Sequence, residues 1–379
     1  MSQAMTCLGL LLMSAMPAFA GTYYVSTTGS TAGNGSLQAP WPSVEYALKR
    51  VRGGHTIVMM PGDYQPFRVP EGAGGTARAR TVIKSQVKWK ARIRSYGEFG
   101  VVTDSRAPYV VLDGLEIVGS SMAAIYLQAN YSEIRNCWIH NNSNQGIGAY
   151  DLTGTVIDSN LIEFNGQFPH FHHGIYADGD GLTISNNIVR YNSGLGMQLY
   201  PAIRNSRIFN NLVTNQAGEI GILVAAPDGG GKNVIANNTV VKNGGYGIRI
   251  WNGNGEVVAN NIVLDNVDGQ IPGDDPSVGT TNTILLNNMT SGDAKFVDAR
   301  KGVYWLKSNS PARGNGTTKY RPATDFWGNA AAGKADQGAF TYYASLTEPA
   351  VRSDWPNGYA FCRRWDTPGM DLPDLWAKP

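Results

Sequence analysis

Three of the chain's five histidines fall within four residues, in Pro169-His170-Phe171-His172-His173-Gly174-Ile175-Tyr176. Imidazole titrates near neutrality, which suits it to take a proton from carbon or pass one on. A phenol such as Tyr176 or Tyr200 holds its proton and can donate it. Farther along, Arg249 offers a planar guanidinium for bidentate pairing with a carboxylate, and Lys242 a point charge for the same task. Proton removal beside a carboxylate needs this set: a cation (Arg249 or Lys242), a base (His172 or His173, with His170 beside them) and an acid (Tyr176 or Tyr200). The competing reading is that the histidines fill a turn, and one of them is expected to do only that. Metal binding is not expected, because no Cys or Glu stands at zinc spacing nearby.

The elements that must position these groups are set by a repeat. Ile134-Arg135-Asn136-Cys137-Trp138-Ile139, Ile157-Asp158-Ser159-Asn160-Leu161-Ile162 and Ile184-Ser185-Asn186-Asn187-Ile188-Val189 share one pattern. It returns around Asn210-Asn211, Asn237-Asn238, Asn260-Asn261 and Asn287-Asn288. With Asn136, Asn160, Asn187, Asn211, Asn238, Asn261 and Asn288 taken as equivalent, the steps are 24, 27, 24, 27, 23 and 27 residues. Such a period predicts a solenoid, in which each coil buries its apolar face against its neighbours. Each repeat holds a glycine-led strand, an Ile-x-x strand, an asparagine turn and a third strand. Three strands per coil predict an all-β, single-stranded right-handed parallel β-helix. The stacked asparagines are expected to form amide ladders, a structural and not a catalytic duty.

In the glycine-led strands the apolar residue after glycine should point inward and the next outward. Two outward columns result: Tyr126, Gly148, Tyr176, Gln198, Leu223, Arg249, and Gln128, Tyr150, Asp178, Tyr200, Ala225, Trp251. With rungs about 4.8 Å apart, four make a groove long enough for a few sugars, and Tyr, Gln, Arg and Trp suit its walls. The candidate binding residues are Tyr126, Tyr150, Asp178, Gln198, Tyr200, Glu219, Lys242 and Trp251. The histidines sit in the longest coil: Ile147 to Ile175 spans 28 residues against 22 for Ile175 to Met197. Insertions in a solenoid map to loops, and loops carry function.

The bulk composition narrows the partners. Charged residues make up only 16% of the 379, the net charge is +2, and no Lys/Arg run occurs, which excludes a nucleic-acid footprint. Residues 1–20 read as a secretory leader ending in Ala18-Phe19-Ala20, and no segment is long enough to span a bilayer. A secreted or periplasmic monomer is expected. Residues 21–55 form an opening cap in which Ser43 N-caps a short helix bearing Val44, Ala47, Leu48 and Val51. The β-helix is expected over 56–343 and a tail or cap over 344–379. Cys137 reads as a packed residue; a bridge to Cys362 is the alternative.

The chain resembles the secreted bacterial right-handed parallel β-helix proteins of the pectate-lyase-like superfamily. Tyr23-Tyr24-Val25-Ser26 followed by Thr56-Ile57-Val58-Met59-Met60-Pro61-Gly62-Asp63-Tyr64 resembles their opening. Phe296-Val297-Asp298, Ser308-Asn309-Ser310-Pro311-Ala312 and Ala335-Asp336-Gln337-Gly338-Ala339-Phe340 resemble their close. The resemblance covers roughly residues 22–343 and implies a polysaccharide partner, with an acidic polymer expected. It leaves several activities open: a lyase acting on a uronate polymer by β-elimination, a uronate epimerase, an inverting hydrolase or a non-catalytic glycan-binding protein. The lyase is the expectation adopted. An epimerase would carry Asp-Pro-His where Phe168-Pro169-His170 stands. A hydrolase would need paired acids from Asp178, Asp180 and Glu219. No cofactor is expected; calcium, which needs clustered outward acids, has only Asp178 and Asp180 close together.

Overall fold

The computed structural model describes residues 20–51 and 53–342. The expected leader, Ala20 apart, and the expected tail with Cys362, Trp355, Trp365 and Trp376 lie outside the described residues. Among the described residues, parallel strands form three sheets of eleven, nine and eight strands. The chain visits them in turn, so each coil adds one strand to each sheet. Ser43 accepts a hydrogen bond from Tyr46 N and starts the helix Val44–Leu48, whose Val44, Ala47 and Leu48 are buried against the first coils. That is the expected capping helix.

Inside the coil, β-branched residues stack in register. Ile134, Ile157, Ile184, Ile208, Ile235 and Val258 pair rung to rung in the eleven-stranded sheet, and none is exposed. Branched side chains fill a pleated interior with little rotamer freedom to lose.

At the first corner the asparagine doublet divides its work. The first residue takes the left-handed conformation, as at Asn186 (φ 54), Asn210 (φ 54), Asn237 (φ 52) and Asn260 (φ 57). Asparagine tolerates that region better than most residues with a Cβ. The second residue is buried and forms the ladder: Asn160 Nδ2 donates to Asn187 Oδ1 at 3.0 Å, Asn187 to Asn211 at 3.0 Å, Asn211 to Asn238 at 2.9 Å, Asn238 to Asn261 at 3.0 Å and Asn261 to Asn288 at 2.9 Å. Asn136, expected in this row, does not belong to it. Asn136 (φ 56) is a left-handed residue, and the ladder position in its coil belongs to Cys137, whose N–H donates to Asn160 Oδ1 at 2.9 Å. Cys137 is wholly buried and has no disulfide partner among the described residues, and burial pushes its thiol up to about 12.

A second ladder runs along the corner between the nine- and eight-stranded sheets. Asn142 Nδ2 donates to Asn165 Oδ1 at 2.8 Å, Asn165 to Asn192 at 3.0 Å and Asn192 to Gln216 Oε1 at 3.2 Å. Gln216 N donates to Asn243 Oδ1 at 3.2 Å, and Asn243 Nδ2 to Asn266 at 2.8 Å. A third, shorter series ends on a carboxylate. Ser206 N donates to Asn233 Oδ1 at 2.9 Å, and Asn233 donates through N and Nδ2 to buried Glu256 at 2.6 and 3.2 Å.

Burial raises the Glu256 carboxyl from 4.5 to about 6 despite those two donors. A raised folded-state value means that the fold favours the protonated acid. Its contribution is therefore present in full below pH 4.5 and is lost as pH rises through about 6. The loss should be about 2 kcal/mol. Melting temperatures taken across that window for the wild type and Glu256→Gln should differ in slope, the variant lacking this decline. Parallel slopes would show that Glu256 does not titrate there.

The segment after the last coil folds back over the outer face of the nine-stranded sheet. Tyr304, Leu306, Phe326 and Phe340 are buried with Leu212, Val241 and Ile262. Thr214 Oγ1 lies 3.3 Å from the Tyr304 hydroxyl.

Candidate active site on the eight-stranded sheet

The outer face of the eight-stranded sheet carries the first outward column. Register places Tyr126 beside Gly148, Gly148 beside Tyr176, Tyr176 beside Gln198, Gln198 beside Leu223 and Leu223 beside Arg249. Each inward neighbour, from Ile125 and Ile147 to Ile175, Met197, Ile222 and Ile248, is wholly buried. Alternation therefore fixes which side chains face out.

Rings run along much of this face. Centroid separations are 4.9 Å for Phe99–Tyr126, 5.2 Å for Tyr126–Tyr150, 5.2 Å for Tyr150–Tyr176, 6.5 Å for Tyr176–Tyr200 and 6.2 Å for Tyr200–Trp251. Tyr150 belongs to the second column but leans over Gly148, where a Cβ would lie 2.8 Å from its ring. Its hydroxyl donates to Gln145 Oε1 at 2.8 Å. Between Ala149 and Leu152 the register shifts, and Asp151 N donates to Asp178 Oδ1 at 2.8 Å. Asp178 is thereby 7% exposed, and burial raises its carboxyl above the usual range. Burial, reinforced by the Asp178 charge, pushes the Tyr176 phenol up to about 12, so it stays protonated at any physiological pH.

At the far end of the column lies a cleft of ≈ 400 Å³ lined by His170, Leu195, Gln198, Glu219, Ile220, Leu223, Arg249, Trp251 and Val278. It brings together His170, Gln198, Glu219, Arg249 and Trp251 of the expected site. Among the described residues Arg249 has no carboxylate within ion-pair distance; its guanidinium lies 4.8 Å from the centroid of Tyr246. Trp251 is 38% exposed.

The three histidines divide sharply. His173 is 2% exposed; its Nδ1 accepts from Leu195 N at 3.2 Å, and burial lowers its value to about 4. His172 Nδ1 accepts from Gln167 N at 3.1 Å and Phe168 N at 3.2 Å, and its value is lowered chiefly by burial. A ring whose Nδ1 accepts carries its proton on Nε2 and has no lone pair left for a substrate. Both residues organise the loop, so the base expected at His172 or His173 has no free nitrogen at either.

His170 differs. It stands on the exposed loop in the left-handed conformation (φ 70), and its Nδ1 pairs with the Glu219 carboxylate. Nδ1–H facing a carboxylate leaves the lone pair on Nε2, outward. Burial raises the Glu219 carboxyl, while the neighbouring His170 opposes that rise.

Two other candidates are placed elsewhere. Lys242 (φ 58) is the left-handed turn residue at the second corner, and its Nζ donates to the Ala299 carbonyl at 3.3 Å, away from the groove. Asp180 pairs with Arg204 at 3.2 Å at the strand end and does not line the cleft. Among the described residues no group of three His, Cys, Asp or Glu side chains is placed to hold a metal ion. Sequence reasoning passed over Leu195 and Ile220, which line the cleft from the loops between corner and strand.

Comparison with known proteins agrees with the architecture. Residues 90–229 match the family model described as "Right handed beta helix region", and residues 171–321 the one described as "Periplasmic copper-binding protein (NosD)". No curated protein matches the sequence. Among solved structures, pectate lyase Pel9A superposes with a TM-score of 0.65 at 17% identity, covering 85% of this chain and 96% of that one. A structure titled "Glycoside hydrolase" gives a TM-score of 0.52 at 10% identity, over 76% of this chain and 99% of that one. At such identities the likeness shows the fold: a right-handed parallel β-helix of the pectate-lyase-like kind. Among the described residues no helix is long and apolar enough to cross a membrane.

Proposed function

We propose that this pectate-lyase-like β-helix is an exported polysaccharide lyase that cleaves a uronate-containing polymer by β-elimination in the cleft of Arg249, His170 and Glu219. One observation carries the reading: an arginine with no carboxylate within ion-pair distance among the described residues shares a cleft with a histidine whose Nδ1 is held by a carboxylate. Arg249 pairs with the uronate carboxylate and stabilises the charge that develops when the adjacent carbon loses its proton. His170 Nε2 takes that proton from C5, and Glu219 fixes the tautomer and stabilises the imidazolium. The C5–H electron pair forms the C4–C5 double bond as the C4–O4 bond breaks. The leaving O4 takes a proton from a phenol, Tyr200 by preference, since its ring stacks on Trp251 and packs with Leu223 at the cleft, with Tyr176, three rungs from Arg249, as the alternative donor. Trp251 and the tyrosines offer ring faces to neighbouring sugars.

The solved structures of similar fold include proteins titled as a pectate lyase and a glycoside hydrolase. Copper, named in one family description, finds no group of three His, Cys, Asp or Glu side chains placed to hold it among the described residues. The mature protein, incubated with alginate, pectate, glycosaminoglycans and bacterial exopolysaccharides, should generate ultraviolet absorbance from unsaturated ends on at least one polymer. New reducing ends without absorbance would instead indicate hydrolysis, with Glu219 and Asp178, both raised by burial, as the acids.

A further inference from the structure

The cleft contains something that a plain uronan does not call for. Leu223 occupies an outward position between Gln198 and Arg249, yet is only 7% exposed. It is packed with Leu195, 4% exposed, and partly buried Ile220 and Tyr200, in a small apolar cluster separate from the interior of the coil. Leu195, Ile220 and Leu223 all line the cleft, together with the guanidinium of Arg249 and the ring of Trp251. Each sugar of an unsubstituted uronan presents hydroxyls and a carboxylate on its rim, and these would lose water against three aliphatic side chains without gaining hydrogen bonds.

We infer that this apolar patch is a subsite for a methyl-bearing group on the substrate, set beside the uronate that Arg249 holds. The inference rests on the uronate reading of the cleft and narrows its substrate class. Two chemistries supply such a methyl: an O-acetyl substituent on the uronate, or the C6 methyl of a neighbouring 6-deoxy sugar. Both place a small apolar group next to a carboxylate, and the charge and shape of the cleft match that pairing. Burying one methyl strengthens binding about three- to fivefold, more where the group is fully enclosed.

The experiment compares three sets of oligosaccharides by calorimetry on the full mature protein: plain uronan, the same uronan O-acetylated, and a uronate polymer alternating with a 6-deoxy sugar. The expected result is that one methyl-bearing set binds at least threefold more tightly than the plain one, the responding arm identifying the source. In Leu223→Asn and, separately, Ile220→Asn that ratio should fall to about one. Equal affinity for plain and substituted ligands in the wild type overturns the inference and leaves the uronate reading standing. So does a preference that survives both substitutions. Binding of none of the three, or affinities that Arg249→Ala does not change, overturns the uronate reading and the inference with it.

Discussion

Replacing His170 with asparagine is expected to lower kcat on the responsive polymer by about a thousandfold, the scale of losing a positioned general base. Binding should change little, because Arg249 and the aromatic face remain. Asparagine cannot take a proton from carbon, yet it fits the left-handed backbone at this position (φ 70), so the loop should keep its form. His172→Asn should act differently. Its Nδ1 accepts from two loop N–H groups, so its loss should loosen the loop and weaken binding as well as turnover. A kcat loss larger in His172→Asn than in His170→Asn would return the base to His172. Tyr200→Phe, which removes a proton donor and little else, should slow turnover with modest change in KM.

The second large effect is on stability. Asn211 is wholly buried, and its Oδ1 accepts from both N and Nδ2 of Asn187, each at 3.0 Å. Its own Nδ2 donates to the Ile184 carbonyl at 2.9 Å and to Asn238 Oδ1 at 2.9 Å. Asn211→Leu keeps the branched outline and leaves those groups without partners, at roughly 1–3 kcal/mol each. A loss of about 4 kcal/mol is expected, read as a lower urea midpoint. Amide exchange should rise first in the coils on either side, because solenoid stability is carried by neighbour contacts. Asn186→Gly is the contrast: the left-handed backbone suits glycine, and only a part-buried bond to Asp158 at 2.7 Å is lost. Equal losses in the two variants would refute the division of labour within the doublet.

The same residues show what the sequence made legible. Strand parity alone assigned Tyr126, Tyr176, Gln198 and Arg249 to one outer row, because a buried interior permits a single register. The period located the first ladder, but a doublet offers two candidates per coil, and only the backbone decides which turns inward. At Asn136-Cys137 the one asparagine is the left-handed residue, so residue type points away from Cys137, which holds the ladder position. The second ladder was missed because its preceding residue varies, as in Phe164-Asn165, Tyr191-Asn192 and Lys242-Asn243. A constant spacing of five would have exposed it, from Asn160 to Asn165, Asn187 to Asn192, Asn211 to Gln216, Asn238 to Asn243 and Asn261 to Asn266. That spacing would also have assigned Lys242 to a corner and removed it from the groove. The choice among His170, His172 and His173 was not legible at all. It depends on which ring nitrogen meets a backbone N–H and which meets Glu219, a matter of loop conformation that no periodicity encodes. The apolar patch escaped for a related reason: Leu195 and Ile220 come from connecting segments outside the alternating strands.

The most direct test of the central claim is the affinity of uronate oligosaccharides for His170→Asn, with and without the additional change Arg249→Ala. The single variant should bind the substrate without cleaving it, and loss of the guanidinium should weaken that binding by about a hundredfold, as expected for a partly desolvated charge-assisted pair. Affinity that is the same with and without Arg249 would place the carboxylate elsewhere and contradict the account.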